Sequence, residues 1–289
     1  MARSLLSLSG LALLAPLVHA AELKRITADF GPNPTNVTFN LYVPDKVAAS
    51  APLLVYPHWC HGTAEQAFEY KPWRGLADTH GYIIIYPSSP WEADNCWDVS
   101  SSDTLTHDAG GDSLGIASMV RWTLQEYDVD PDRVFVTGVS SGGMMTNVLL
   151  GSYPDLFAAG SSFAGVPAGC YAADGFGVWN ADCAEGRGVR PKVQVFHGDS
   201  DEVIHPVNFA EQIKLWSAVL GTGAEPTETV ADTPQAGWTK TVYGDKGLLE
   251  GSSPPGSRTT SLISDCFSRK TLEKLESGPS CKKRKARKA

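Results

Sequence analysis

The sequence runs to 289 residues with 24 Lys+Arg against 32 Asp+Glu, a formal net charge of −8. The first twenty residues hold one base and the last eight hold six, with no acid in either, which leaves 17 bases against 32 acids in residues 21–281. So acidic a body excludes nucleic-acid binding by phosphate neutralisation, and 42 % hydrophobic against 19 % charged residues excludes global disorder. The length suffices for a buried core in one large domain or two small ones.

Residues 1–20 read as a secretory signal peptide. Arg3 supplies the positive start, Leu5 to Val18 is a small-and-apolar run, and Val18-His19-Ala20 fits a small-residue cleavage site. The run is too short to span a bilayer, which takes roughly 20 helical residues. The expected location is therefore extracellular, with no membrane association. Export favours disulfides over metal sites for the six cysteines, and no Cys-x-x-Cys pair or Cys/His cluster has zinc spacing. Neither metal nor cofactor is expected. Asn36-Val37-Thr38 is a glycosylation sequon.

Strands are expected near Ile26–Phe30 and Phe39–Val43, close enough in sequence to form an antiparallel edge. The brief apolar runs Leu53–Tyr56, Ile83–Tyr86, Val134–Val136 and Val193–Phe196 read as buried parallel strands. Between them Asp112 is the expected N-cap of a helix whose Ile116, Val120, Leu124 and Tyr127 make one stripe. Ala210 to Leu220 carries a similar stripe through Ile213, Trp216, Val219 and Leu220. A further strand is expected over Trp238–Tyr243. This alternation predicts an α/β fold, a mostly parallel sheet with helices on both faces. One domain spans residues 21–250. From Gly251 (GSSPPGSR) the chain is loop-like, and 251–289 is an atypical basic tail, disordered or read out of frame, so the domain stops short at its C-terminal side.

The sharpest motif is Gly138-Val139-Ser140-Ser141-Gly142, directly after a strand and before a helical run. That context makes it a nucleophile elbow with Ser140 as nucleophile. Such a serine needs a base and a carboxylate to orient that base. The carboxylate is expected after the strand ending at Phe196, with Asp201 preferred to Asp199. Oxyanion donors are expected from the N–H of Ser141 and from the loop His58–Gly62.

Taken together, His58–Ala64 (HWCHGTA), Tyr86–Pro90 (YPSSP), Cys96–Ser101 (CWDVSS), Thr106-His107, Gly111–Ser113, the elbow, Met144–Val148 (MMTNV), Ala164–Cys170 (AGVPAGC) and His197–Asp201 (HGDSD) resemble the fungal acetylxylan esterases of carbohydrate esterase family 1. These are similar to feruloyl esterases and polyhydroxybutyrate depolymerases. The resemblance covers about residues 24–247. It implies an α/β-hydrolase that removes acetyl groups from xylan without a metal, with Ser140 and Asp201 in the triad and Cys60 and Ser141 as oxyanion donors. Trp97 is expected as a pocket wall or sugar platform, with plain core packing as the alternative, and the protein as a monomer.

Two departures stand out. The family carries its catalytic His near the C-terminus, after a strand comparable to Trp238–Tyr243, whereas here no His follows His205. His205 sits where an ordinary loop enters a helix, and His58, His61 and His107 read as loop-shaping hydrogen bonders. The stretch Cys183–Arg190 is also shorter than in the family. A mis-assembled coding sequence would account for both. The rival readings are a feruloyl esterase and a catalytically impaired carbohydrate-binding relative. Disulfides are expected at Cys60–Cys96 and Cys170–Cys183.

Overall fold

The computed structural model describes residues 21–171 and 190–256. The expected signal peptide, Cys183 and the tail beyond residue 256 lie outside these. The β-branched runs form the middle of a ten-stranded sheet: β1 (Lys24–Arg25), β2 (Thr38–Tyr42), β3 (Ala51–Val55), β4 (Ile83–Ser88), β5 (Val129–Val139), β6 (Ala159–Phe163), β7 (Lys192–Phe196), β8 (Glu228–Ala231), β9 (Thr239–Tyr243) and β10 (Leu249–Ser253). Their order is β1-β2-β4-β3-β5-β6-β7-β10-β9-β8. The stretch from β4 to β10 is parallel throughout, and β1, β2, β9 and β8 add antiparallel strands at the two edges.

Alternation along the central strands explains their unbroken hydrophobicity. Leu53, Val55, Ile83 and Ile85 join one buried cluster, while Leu54, Tyr56, Ile84 and Tyr86 join another. Both faces are therefore covered, as parallel sheets require. On the first side lie α4 (Gly111–Glu126), α5 (Ser141–Ser152) and α6 (Val207–Leu220), contributing Ile116, Val120, Met145, Leu149, Ile213 and Trp216. On the second lie α1 (Ala64–Tyr70) and α2 (Trp73–His80), through Ala64, Ala67, Trp73 and Ala77. A short α3 (Ser102–Leu105) precedes α4. Fully burying an isoleucine such as Ile83 or Ile84 contributes about 1.5–3 kcal/mol.

Four details depart from expectation. The first strand ends at Arg25 rather than running over Ile26–Phe30, because Asp29 turns the chain by accepting from the Gly31 N–H, and Phe30 packs edge-on to Phe39. The N-cap of α4 is Gly110, not Asp112, whose carboxylate is pulled inward to accept from Trp91 Nε1 and the Asp98 N–H. Strand β6 was not signalled, since Ala-Gly-Ser-Ser-Phe has little apolar character, yet it lies between β5 and β7. Strand β10 crosses the expected boundary at residue 250 and takes in Gly251, Ser252 and Ser253. A Cβ at Gly251 would lie 2.8 Å from a Phe209 ring carbon and 2.9 Å from Thr241 Oγ1. The small residues that read as a loop are those that let α6 approach the sheet.

Candidate active site

The carboxyl ends of β3, β5 and β7 bring three loops to one edge of the parallel sheet. Ser140 occupies the junction between β5 and α5, with φ 56° and ψ −123°. A non-glycine residue in such a conformation is strained by about 1–3 kcal/mol and persists only where its surroundings hold it. Those surroundings are specific. The Ser140 N–H donates to Phe163 O at 2.9 Å, and its carbonyl accepts from the Met144 N–H at 2.9 Å. Two residues on, a Cβ at Gly142 would fall 2.1 Å from Pro57 O, so the first turn of α5 packs backbone-to-backbone on the loop after β3. The Ser141 N–H, first in the helix, has no acceptor within it, and the N-terminal end of α5 favours developing negative charge.

The loop carrying Cys60 is fixed from several sides. Cys60 is disulfide-bonded to Cys96, as expected. The Trp97 N–H donates to Ser141 Oγ at 2.9 Å, and Trp97 Nε1–H donates to His58 O at 2.7 Å. His58 Nε2 accepts from the Ser89 N–H, so its proton sits on Nδ1 and is donated to Trp59 O. Burial holds the His58 imidazole below its ordinary pKa, and the ring stays neutral. His61 takes a positive φ of 61° and ties its N–H to Asp94 O. The serine loop, the Cys60 loop and the 88–98 segment thus form one bonded unit.

Asp201, after β7, is buried. Its Oδ1 accepts from the N–H groups of Val203 and Ile204, each at 2.9 Å. Its other oxygen, Oδ2, has no hydrogen-bond partner among the described residues and lies 3.8 Å from His197 Nε2. That nitrogen is already engaged with Ile204 O at 2.8 Å, and burial lowers the His197 pKa. An unpartnered buried carboxylate oxygen is costly to leave dry and is what an imidazole N–H would satisfy. Asp199 behaves differently: exposed, it accepts from Ser200 Oγ and from the Gly256 N–H, a turn-shaping pattern.

The histidines divide as the sequence suggested. His107 bonds Asp155 and Asp108 and packs at a tilt against the Tyr153 ring. His205, exposed, accepts from the Val207 N–H at the entry to α6. Trp97 is only 4 % exposed and belongs to the main core cluster, the packing role that was the alternative to a platform. It nevertheless floors an open depression of about 530 Å³. Cys170 is exposed and has no disulfide partner among the described residues; its expected partner Cys183 lies outside them. Sequence reasoning missed the polar lock behind the nucleophile helix. Asn147 Nδ2 donates to Val166 O and Gln212 Oε1, and Asn147 Oδ1 accepts from Trp216 Nε1. Asn147 belongs to the Met144–Val148 motif, but sequence spacing alone gives no hint of its partners.

Comparison with known proteins agrees with this arrangement. Residues 37–181 match the family model described as Esterase PHB depolymerase. The chain is 45 % identical over 258 residues to the probable acetylxylan esterase A of Aspergillus flavus, covering 81 % of this chain and 83 % of that protein. It is 43 % identical over 268 residues to feruloyl esterase B of Thermothelomyces thermophilus, covering 85 % and 90 %. Among solved structures it superposes on an acetyl xylan esterase from Aspergillus awamori with a TM-score of 0.79 and 38 % identity, over 88 % of this chain and 99 % of the other. A thermostable esterase matches at TM-score 0.54 and 17 % identity, over 89 % and 62 %, a likeness of fold alone. The mostly parallel sheet is that of an α/β-hydrolase.

Proposed function

The chain belongs to the PHB-depolymerase-type esterase family, and from that premise we propose that it is an extracellular serine esterase that deacetylates xylan. The carrying observation is Ser140, held at φ 56° between a parallel strand and a helix N-terminus, with the disulfide-anchored Cys60 loop against that helix. In this reading Ser140 Oγ attacks the acetyl carbonyl, and the N–H groups of Cys60 and Ser141 hold the resulting oxyanion. The xylan hydroxyl leaves, and water releases acetate from the serine. One oxyanion donor of this kind is worth about 2.7–4 kcal/mol in the transition state. Asp201 Oδ2 is the acceptor that would orient a general base.

No histidine after His205 exists in the sequence to serve as that base. This favours a second reading, a xylan-binding relative with impaired catalysis. One experiment separates the two: replace the segment after Ser253 with the corresponding His-bearing segment of an acetylxylan esterase relative, then measure acetate release from acetylated xylan. The esterase reading expects a gain of several orders of magnitude, lost again in Ser140→Ala. A binding protein would gain nothing. Release of ferulate in preference to acetate would favour the feruloyl esterase reading. Asn36 is exposed in a tight turn, which suits its proposed glycosylation.

A further inference from the structure

We infer that Trp91 is a stacking platform for a xylose residue of the polysaccharide, and that its pocket is a subsite leading to Ser140. This rests on the xylan reading above. Trp91 is 46 % exposed, while Trp97 beside it is sequestered in the core. An exposed indole that is also immobilised is unusual, and here every polar group of the residue is engaged. Nε1–H donates to Asp112 Oδ2 at 3.0 Å, the backbone N–H donates to Ser89 Oγ at 3.2 Å, and the carbonyl accepts from the N–H groups of Asp94 and Asn95. Asp112 is fully buried, and its Oδ2 also accepts from the Asp98 N–H. The ring is therefore anchored by its polar edge and has only apolar faces to offer. Little side-chain entropy is left to lose on binding.

A xylopyranose ring in its chair form matches such a surface. Its hydroxyls are equatorial, so both ring faces present axial C–H groups. With no hydroxymethyl group at C5, nothing lifts the sugar off a flat partner. The hydroxyls project toward the rim, where Asp94, Asp98 and Ser101 line the depression. These side chains already accept from the Cys96, Ser100, Ser101 and Thr104 N–H groups, so a sugar hydroxyl would add to those bonds through remaining lone pairs. This surface is tied to the serine turn through bonded neighbours. Cys96, in the same lining, is disulfide-bonded to Cys60, and Trp97 at the floor bonds Ser141, the neighbour of Ser140. A polymer held on Trp91 is thus held to the same bonded unit as the serine.

The test is calorimetric binding of xylohexaose to the 289-residue chain, which needs no turnover. Trp91→Ala should weaken the affinity about tenfold, the scale on which truncating a buried aromatic anchor is felt. Trp91→Phe keeps a flat ring and should retain most of it. Both variants lose the Nε1–H bond to the buried Asp112, so a thermal melt and circular dichroism spectrum of each is taken beside the binding data to separate lost affinity from lost folding. Wild-type affinity in Trp91→Ala would overturn the platform while leaving the esterase reading standing. If the wild type binds no xylohexaose, the platform also falls. Covalent labelling of Ser140 by a fluorophosphonate in the His-repaired chain then decides separately whether the esterase reading falls with it.

Discussion

Replacing Ser140 with alanine removes one hydroxyl from a turn whose shape is set by backbone bonds to Phe163 and Met144. In the His-repaired chain the variant should therefore fold normally and release no acetate. Asp201→Asn should cut the rate by about 10⁴, since the amide favours the wrong imidazole tautomer and cannot stabilise the protonated ring. Asp199→Asn should fall only a few-fold, because its carboxylate shapes a turn. If Asp199→Asn is the crippled variant, the roles of the two aspartates are exchanged. His58 offers a pH test. Its imidazole is held below the ordinary value by burial, so the contact with the Ser89 N–H stabilises the fold fully above about pH 6.5 and is lost as pH falls through the depressed pKa. The Ser89 amide resonance should titrate with a midpoint below 6.5, and a midpoint above it would refute the assignment. The strained turn at Ser140 was legible in the sequence because it is local: strand, turn and helix are all written within a few residues. Trp91 was not, because one exposed tryptophan among eight differs from a core one only by its surroundings.

The elements were legible where hydrophobicity is concentrated and hidden where small polar residues form strands. Strands β3, β4 and β7 announce themselves through Leu, Ile and Val, whereas β6 and β10 are built of Ser and Gly. Their burial is imposed from outside, by Ser162 Oγ donating to Gly143 O and by α6 closing on Gly251. Helix α5 depends on the same kind of contact. Asn147→Asp would replace the amide donors to Val166 O and Gln212 Oε1 with a buried charge facing acceptors. A loss of about 3 kcal/mol or more is expected in a denaturant titration. A loss under 1 kcal/mol would mean that the lock carries little of the helix's stability. The Cys60–Cys96 bridge spans 36 residues and couples the oxyanion loop to the 88–98 segment. The double Cys60→Ser, Cys96→Ser variant should lose about 2–5 kcal/mol. It should also lose turnover beyond the loss of stability in the repaired chain, because the Cys60 N–H is no longer held in place.

On the scale of the whole molecule, the reaction centre proposed above has two unequal halves. The side contributed by β3 and β5 is complete: strained serine, helix N-terminus and a pinned oxyanion loop. The side contributed by β7 and β10 holds Asp201 with a buried oxygen that has no partner among the described residues, and β10 leads into residues 254–256 beside the Asp199 turn. The sequence reading ended the domain at residue 250 and read a loop from Gly251, whereas β10 runs to Ser253. The sheet is intact through Ser253. The 289-residue polypeptide should therefore fold cooperatively yet hydrolyse 4-nitrophenyl acetate slowly, several orders of magnitude below an intact acetylxylan esterase. Its residual rate would come from the oxyanion donors alone, which in a comparable serine site sustain about 10³–10⁴-fold over water. Free imidazole supplied in solution should raise that residual rate in the wild type more than in Asp201→Asn, because only the former offers the vacant carboxylate oxygen to orient it. Equal enhancement in both would mean that Asp201 has no part in positioning a base, and family-like turnover without imidazole would mean that another group, with His205 the first to replace, already serves.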